Sequence, residues 1–302
     1  MIGHAASLRV RGRLERDVPL AGMTSWRVGG RADWLFEPED VDDLAHFLAS
    51  VPETFPRTLL GLGSNVLIRD GGIEGVVIHL SGALNQRLRV DPERVELGAG
   101  LACAQAARFC AAEGLIGAEF LAGIPGTIGG ALAMNAGAWG GEIWPLVEWV
   151  ETMDRRGLRQ VRTSDDFRIA YRSVTGSGEE FFLRTVLRLQ PGDPSAARAR
   201  IQELLRERSQ KQPLGLPSGG SVFRNPEGGH AAVLIEQAGL KGLHRGGAEV
   251  SRKHANFITH DGTACAADIE WLIEEVQRRV EARSGIRLIP EVRVIGRKET
   301  QR

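Results

Sequence analysis

Cysteine is scarce in this sequence. The 302 residues include three cysteines, an odd number, and none of them forms a CxxC pair. This argues against a disulfide framework and against a zinc site. Cys103 and Cys110 stand on one face of a predicted helix, so we expect buried, reduced thiols there. The seven histidines show no paired ligand spacing, and we predict that the protein binds no metal.

Net charge and long apolar runs are also lacking. Basic and acidic residues number 38 each, which gives a formal charge of zero and no general attraction for nucleic acid. Residues 1–17 lack the apolar core of a signal peptide, and no later run is long enough to span a bilayer. The sequence predicts a cytoplasmic protein with no nucleic-acid or membrane partner, and it indicates no obligate protein partner.

The common phosphate-binding fingerprints are missing as well. No lysine follows a glycine cluster as GxxxxGK(S/T) requires, and GxGxxG fails at Gly61-Leu62-Gly63 because its sixth position is Val66. Neither a P-loop nor a Rossmann fold is favoured.

Glycine, in contrast, is abundant in residues 121–142, which read LAGIPGTIGGALAMNAGAWGGE. Glycines let a backbone approach a ligand closely, and free N–H groups in such a loop suit an anion. A helix starting after Gly129 would add its dipole to that attraction. Two glycine loops, at 61–65 and 123–130, would suit the pyrophosphate of a dinucleotide held between two lobes, although plain turns remain an alternative.

Strand-like and helix-like segments alternate along the chain, without an internal repeat. Predicted strands cover 32–36, 57–63, 65–70, 75–80, 94–100, 145–154, 158–163, 254–260 and 286–296, and 65–70 is separated from 75–80 by a turn at 70–72. Predicted helices cover 38–50, 102–114, 195–213 and 268–285, the last with Gly285 as its cap. We expect three regions: 1–82, 83–195 and 196–302.

Three isolated residues suggest chemistry. Arg172 follows the chain's single tyrosine in AYRSV, Ser221 follows two glycines in LPSGGSVFRNP, and Glu291 interrupts the apolar predicted strand LIPEVRVI. Each also has an ordinary structural explanation: a surface cation, a turn serine, and a solvent-facing residue of an edge strand.

Taken together and in this order, the motifs resemble the UDP-N-acetylenolpyruvoylglucosamine reductase family, flavoenzymes of bacterial peptidoglycan precursor synthesis. The matching segments are WRVGGRA, GLGSNVLIRDGG, FLAGIPGTIGGALAMNAGAWGGE, AYRSV, GGSVFRNP, AGLKG, HANFI and IPEVRVIG. The chain looks like the shorter subgroup, which lacks a tyrosine-bearing insertion, because no tyrosine follows Tyr171. It departs from the family pattern at Ser25-Trp26, where Thr-Phe is common, and at Trp139, where tyrosine is common.

The resemblance implies an α+β fold, with two FAD-binding lobes of the vanillyl-alcohol-oxidase (PCMH) type followed by a C-terminal α+β domain for the UDP-sugar. By the same resemblance, the residues that would bind FAD are Gly61, Gly63, Ser64, Asn65, Gly123, Ile124, Pro125, Gly126, Thr127, Gly130 and Asn135. The residues that would bind substrate are Tyr171, Lys211, Arg224 and Asn225.

The implied reaction uses NADPH and FAD to reduce UDP-N-acetylglucosamine enolpyruvate. Arg172 would stabilise charge on the substrate carboxylate, because a guanidinium matches a carboxylate as a planar fork. Ser221 would donate a proton, with assistance because a hydroxyl is a poor acid. Glu291 would either donate a hydrogen bond as a protonated acid or orient Arg172.

Two other functions compete with this interpretation. An alcohol or sugar oxidase of the same fold often tethers its flavin through His or Cys, and residues 121–142 contain neither. A non-catalytic nucleotide-binding module would need the glycine loops but not Arg172, Ser221 and Glu291.

Overall fold

The computed structural model describes residues 9–80, 82–176 and 178–299. These residues form two compact units. The first unit contains the described residues up to Arg16 together with Trp34–Leu62 and Gly75–Arg206. The second unit contains Asp17–Asp33, Gly63–Glu74 and the described residues from Glu207 onward.

Most strands of the described chain are short. In chain order they are β1 Arg13–Pro19, β2 Arg31–Glu37, β3 Arg57–Leu60, β4 Val66–Ile68, β5 Ile73–His79, β6 Arg87–Arg89, β7 Arg94–Gly98, β8 Leu115–Ile116, β9 Gly137–Ala138, β10 Gly141–Glu142, β11 Val147–Met153, β12 Arg159–Arg162, β13 Arg168–Ala170, β14 Ser173–Thr175, β15 Phe181–Arg188, β16 Gln190–Pro191, β17 His244–Arg245, β18 Ala248–Val250, β19 Ile258–His260 and β20 Arg293–Ile295.

The α-helices of the described residues are α1 Val41–Ser50, α2 Cys103–Ala112, α3 Ile128–Met134, α4 Pro194–Lys211, α5 Ala231–Gln237 and α6 Ala266–Ser284. Short 3-10 turns lie at Ala21–Met23, Glu119–Gly123, Trp144–Leu146 and Ser164–Asp166.

A four-stranded sheet in the order β1-β2-β5-β3 lies largely in the first unit, with β3 parallel to β5. Helix α1 begins after Asp40, whose side chain accepts the N–H of Asp43 and thereby satisfies one unpaired donor of the first turn. The rings of Phe36 on β2 and Phe47 on α1 stack with centroids 4.3 Å apart. The strands predicted at 32–36 and 75–80 and the helix predicted at 38–50 are confirmed, whereas the strand predicted at 57–63 ends at Leu60.

A five-stranded antiparallel sheet, in the order β12-β11-β15-β7-β6, forms the rest of the first unit's framework. The predicted strands at 94–100, 145–154 and 158–163 are confirmed in this sheet. Helix α2 is confirmed as well, and its Cys103 and Cys110 are buried free thiols in the core beside the sheet. Burial raises the pKa of each thiol to about 12, because the thiolate would lose its hydration there.

The second unit contains the antiparallel sheet β17-β18-β19 and the parallel pair β4/β20. Helix α6 places an apolar stripe in the core and ends at Gly285 with φ +73°, as predicted. Trp26 is fully buried in this core, and its indole N–H donates to the carbonyl of Ile258 at 3.1 Å. The carboxylate of Asp70 accepts the N–H groups of Ala266 and Ala267, both at 2.9 Å, at the start of α6.

Two predicted strands are much shorter than the sequence indicated, and the placement of Glu291 in a strand is wrong. Strand β20 begins at Arg293, after Glu291, and Pro290 instead forms an isolated antiparallel bridge with Phe223. Strand β19 covers only the last three residues of 254–260. Its predicted first half is diverted because the side-chain amide of Asn256 binds both the N–H and the carbonyl of Phe223, at 2.9 and 2.8 Å.

Candidate functional site

The two glycine loops meet within the first unit at Gly61 and Thr127. A Cβ atom on Gly61 would lie 2.7 Å from Oγ1 and 3.2 Å from Cγ2 of Thr127. This close approach of backbone to side chain explains why glycine stands at position 61. The interpretation that residues from both loops contribute to one site is therefore supported by direct contact between them.

Thr127 is the N-cap of helix α3, which begins at Ile128, two residues before the predicted start. Its side chain accepts the N–H of Gly130 at 3.2 Å, and its residue is 3% exposed. The N–H groups of Ile128 and Gly129 donate to the carbonyls of Leu101 and Ala99, each at 2.8 Å. The first amides of α3 are thus bonded within the protein.

The free donors lie one step earlier in the loop. Among the described residues, the N–H groups of Gly126 and Thr127 have no acceptor, although the carbonyl of Gly126 accepts from Cys103 at 2.9 Å. An unpaired N–H on a residue as buried as Thr127 is costly unless a ligand supplies the acceptor. Two successive donors of this kind fit an anionic phosphate oxygen. Ile124 and Pro125 precede them, with the Ile124 N–H already bonded to Leu121.

Residues Gly63, Ser64 and Asn65 of the first loop belong to the second unit. Gly63 has φ +58°, and a Cβ there would lie 2.2 Å from the carbonyl oxygen of Met23. The position therefore requires glycine for both space and backbone conformation. The amide of Asn65 donates to the backbone carbonyl of Glu291 at 3.1 Å, so this predicted cofactor residue contacts the segment of a predicted catalytic residue.

Arg172 lies in a two-residue turn between β13 and β14, in the first unit. Its φ is +53°, a left-handed conformation that is uncommon for residues other than glycine. The guanidinium donates to the backbone carbonyls of Asn135, at 3.3 Å, and Gly137, and it lies 5.0 Å from the ring centroid of Tyr171. These contacts fix the position of the Arg172 guanidinium. The Tyr171 residue is almost half exposed.

Asn135 is the residue that organises the acceptors of Arg172. It ends α3 in the left-handed conformation, with φ +49°, and is 1% exposed. Its amide donates to a carboxylate oxygen of Glu142 at 2.7 Å and to the carbonyl of Ala170 at 3.3 Å. Its side-chain oxygen accepts from Trp144 at 3.4 Å. The structure therefore assigns this side chain to holding the loops around Arg172.

Ser221 and Glu291 come together in the second unit. The N–H of Glu291 donates to the carbonyl of Val222 at 2.8 Å, so the two segments run side by side. Two glycines precede Ser221: a Cβ on Gly219 would lie 2.6 Å from the indole of Trp26, and Gly220 has φ +77°. Ser221 is partly exposed, at the end of a tightly fixed loop.

The side chains of the remaining predicted substrate residues differ in which polar atoms already have a partner within the protein. Nε of Arg224 is buried without a hydrogen-bond partner among the described residues. The side-chain oxygen of Asn225 accepts the N–H of Ala231 at the start of α5, at 3.1 Å. Lys211 ends α4 with a side chain 72% exposed, and its ammonium is 3.8 Å from Glu207. Of the three side chains, that of Arg224 is therefore the one with a buried donor still available to a ligand.

His254 was not predicted as a site residue, although it is the first residue of the HANFI motif. Nδ1 of His254 is buried without a hydrogen-bond partner among the described residues, and its ring packs edge-on against Phe257. Burial, together with the nearby Lys241 ammonium, lowers the pKa of His254. A neutral imidazole with an unmet nitrogen is a polar group that a ligand could satisfy.

Other features do not extend the site. A cavity of about 910 Å³ in the second unit is lined by Arg69, Glu270, Trp271 and neighbours, and its Arg69 is already paired with Glu270 at 2.9 Å. No three His, Cys, Asp or Glu side chains of the described residues form a group that would hold a metal ion. Within the described ranges, no helix combines the length and the apolar character needed to cross a membrane.

Both halves of the chain are similar to known proteins. Residues 32–162 match the model of an FAD binding domain, and residues 212–295 match the C-terminal domain of UDP-N-acetylenolpyruvoylglucosamine reductase. The reductase of Alkalilimnicola ehrlichii is 53% identical over 97% of this chain and 98% of its own length. That of Nitrosococcus oceani is 50% identical over 98% of this chain and 99% of its own.

A solved structure agrees with these matches. The crystal structure of the reductase from Thermus caldophilus superposes with a TM-score of 0.81 at 34% identity, over 94% of this chain and 99% of that one. The predicted order of an FAD-binding domain followed by a C-terminal α+β domain is confirmed. The chain belongs to the UDP-N-acetylenolpyruvoylglucosamine reductase family.

Proposed function

We propose that this protein is an FAD-dependent enzyme that uses NADPH to reduce UDP-N-acetylglucosamine enolpyruvate to UDP-N-acetylmuramate. The observation that carries the proposal is 53% identity to a named reductase over 97% of the chain. The reaction would serve peptidoglycan precursor synthesis in the cytoplasm, and through it cell shape and division. Residues 1–82 and 83–195 would form the FAD-binding lobes, and residues 196–302 would bind the UDP-sugar.

The residues present fit an FAD site. The unpaired N–H groups of Gly126 and Thr127 would donate to the pyrophosphate, and the absence of a side chain at Gly61 lets the first loop pack closely on Thr127. Segment 123–127, Gly130, and the loop residues Ser64 and Asn65 would line the rest of the cofactor. FAD would supply the hydride chemistry that connects NADPH to the enolpyruvyl double bond.

Arg172 would bind the carboxylate of the enolpyruvyl group. Negative charge grows on that carboxylate as its neighbouring carbon is attacked, and a fixed guanidinium is already oriented toward it. The Arg172 guanidinium donates to the backbone carbonyls of Asn135 and Gly137, which fix its orientation. The arginine side chain therefore needs little reorganisation in the transition state. Tyr171 would cover the same group with its exposed ring.

Ser221 would donate the proton that completes the lactyl group. Its loop is fixed by the Gly219 contact with Trp26 and by the pairing of Val222 with Glu291. Glu291 would either donate a hydrogen bond to the substrate carboxylate as a protonated acid or orient Arg172. Arg224, Asn225 and Lys211 would bind the diphosphate and sugar, with Nε of Arg224 gaining the partner that it lacks.

The half-reactions separate these roles. Reduction of the bound flavin by NADPH and its reoxidation by the enolpyruvyl sugar are followed at the flavin absorbance in stopped-flow mixing. In Ser221→Ala, we expect FAD content and reduction to stay near wild type, and reoxidation to slow by roughly 10²–10⁴, the range of positioned acid catalysis. Ser221→Cys is expected to recover part of the rate. Arg172→Ala and Glu291→Gln are expected to slow reoxidation selectively as well.

Two variants serve as matched controls. Arg188→Ala removes an exposed arginine of the five-stranded sheet that pairs with Glu148, and Ser284→Ala removes a serine at the end of α6. Neither is expected to change either half-reaction. Equal reoxidation rates in wild type and Ser221→Ala would remove Ser221 from the mechanism. Wild-type protein that binds no FAD, or is not reoxidised by the sugar, would refute the proposed function itself.

A further inference from the structure

Trp139 stands in a backbone conformation that tryptophan rarely adopts. Strands β9 and β10 form a hairpin in which Ala138 pairs with Gly141, so Trp139 and Gly140 are its two turn residues. Both have positive φ, +50° and +81°, as a type I′ turn requires. Asn, Asp and Gly are the residues that favour this turn, whereas a bulky residue at positive φ is strained. Some interaction of the indole must outweigh that strain.

The indole packs directly on the proposed FAD loop. A Cβ atom on Gly123 would lie 2.2 Å from Cζ3 and 2.3 Å from Cη2 of Trp139. The other side of the hairpin is fixed too, because a Cβ on Gly141 would lie 2.7 Å from the ring of Phe120. The hairpin is thus locked onto the 3-10 turn Glu119–Gly123. The absence of a side chain at Gly123 is explained by this packing, so the glycine serves Trp139.

This contact is not ordinary core packing, because the Trp139 residue remains 38% exposed. The five-residue segment Gly123–Thr127 has Gly61 against its Thr127 end and the Trp139 indole against its Gly123 end. The two unpaired N–H groups, at Gly126 and Thr127, lie at the Thr127 end of this segment. A dinucleotide whose pyrophosphate takes those donors would extend along the segment, with a planar ring toward the indole.

We propose that the exposed face of the Trp139 indole packs against an aromatic ring of bound FAD, which makes Trp139 a cofactor-contacting residue. The inference rests on the proposed function, since it needs FAD to occupy this loop. Contact between two planar rings would compensate for the strained turn. It would also explain why an aromatic residue occupies a turn position that suits asparagine better.

Two substitutions at Trp139 distinguish the effect of the aromatic ring from the effect of the turn conformation. Trp139→Asn removes the indole and supplies a residue suited to positive φ, so the hairpin is retained. Trp139→Phe keeps an aromatic ring and the same strain. Trp149→Phe is the matched control, because Trp149 lies on β11 of the same unit and packs under Arg184 at 5.5 Å.

The dissociation constant for FAD is measured on the holoprotein by equilibrium dialysis. For Trp139→Asn we expect it to rise about 2- to 12-fold, the worth of one aromatic pair converted at 1.4 kcal/mol per factor of ten. Trp139→Phe is expected to retain most of the affinity, and Trp149→Phe all of it. Flavin fluorescence identifies the ring, since an indole in contact quenches the flavin. Brighter bound flavin in Trp139→Asn indicates the isoalloxazine, and unchanged brightness with weaker binding indicates the adenine.

The proposal is overturned if Trp139→Asn binds FAD as tightly as wild type. It is overturned equally if Trp139→Phe loses as much affinity as Trp139→Asn, because an aromatic ring at this position then contributes nothing to FAD binding. Either result leaves the proposed function intact as long as wild-type protein holds FAD and reduces the enolpyruvyl sugar. Wild-type protein without FAD would instead be a failure of the proposed function.

Discussion

The contact between Gly61 and Thr127 predicts a specific energetic coupling between the two glycine loops. Gly61→Ala would place a methyl group 2.7 Å from Oγ1 of Thr127, closer than side-chain atoms normally approach. The Thr127 side chain would have to rotate, and it would then release the N–H of Gly130 that it accepts at 3.2 Å. The substitution at one loop therefore removes the N-cap of the helix that follows the other.

The magnitude follows from that cap. Loss of a threonine N-cap costs about 1 kcal/mol of unfolding free energy, and an off-rotamer side chain adds about 0.5–1.5 kcal/mol. Alanine at 61 returns roughly 0.4–1 kcal/mol by restricting the unfolded chain. We expect Gly61→Ala to lower the free energy of unfolding by about 0.5–2 kcal/mol, and Thr127→Ala by about 1 kcal/mol.

The double variant distinguishes this account from simple additivity. Without Oγ1 and Cγ2, the nearest Thr127 atom to the new methyl group is Cβ at 3.5 Å, an ordinary contact. In the Thr127→Ala background, Gly61→Ala is therefore expected to raise the free energy of unfolding by roughly 0.4–1 kcal/mol, which is a coupling of about 1.5–2.5 kcal/mol. Thr127→Ser retains the offending Oγ1, so in that background Gly61→Ala should stay as costly as in wild type.

The assay is urea unfolding of FAD-depleted protein, followed by circular dichroism, with m-values compared among variants. Gly130→Ala is the control for inserting a methyl group near Thr127: its Cβ would lie 3.5 Å from Oγ1 inside α3, so unfolding free energy should rise by about 0.5–1 kcal/mol. Additive effects of Gly61→Ala and Thr127→Ala, or a neutral Gly61→Ala, would refute the contact between the loops.

Three further predictions follow from local contacts. Gly123→Ala should destabilise the first unit because its methyl group would lie 2.2 Å from the Trp139 ring, and Trp139→Asn in the same chain should remove that cost; thermal unfolding of the two single variants and the double variant checks this. Asn225→Ala should lower the free energy of unfolding by about 0.5–1.5 kcal/mol, because an N–H of α5 loses its acceptor, and it should raise the KM for the enolpyruvyl sugar; denaturation and steady-state kinetics measure the two effects. Burial raises the pKa of Cys103 from 9.0 to about 12, so the unfolded chain loses this proton at a lower pH than the folded chain does. The free energy of unfolding should therefore fall as pH rises from about 9 to about 12. A Cys103→Ala variant whose free energy of unfolding has the same pH slope as wild type in that range would contradict this.

Several parts of the fold were predictable because local patterns determine them. The apolar stripe of 268–285 and its terminal glycine specify α6, and the alanine-rich face around Cys103 and Cys110 specifies α2. The short apolar strands at 32–36 and 75–80 were recognisable in the same way. In each case the side-chain period and the terminating residue lie within one element, so no distant contact is needed.

The predicted strand at 286–296 shows where local patterns fail. Its apolar run is real, but Pro290 forms only an isolated bridge with Phe223, and continuous strand pairing begins at Arg293 beside β4. Likewise, the segment 254–260 loses its first half to the amide of Asn256, which binds the backbone of Phe223 33 positions away. Hydrogen bonds of this range cannot be read from neighbouring residues.

The sequence by itself determined the family, the two glycine loops and the identities of Arg172, Ser221 and Glu291 as chemical candidates, because each stands in a motif of fixed composition. Only the tertiary structure decided how these residues are held. It placed Gly61 on Thr127, assigned the amide of Asn135 to the loops around Arg172, and laid the strained Trp139 on Gly123. These contacts join positions far apart in the chain, and which backbone groups remain unpaired depends on every one of them.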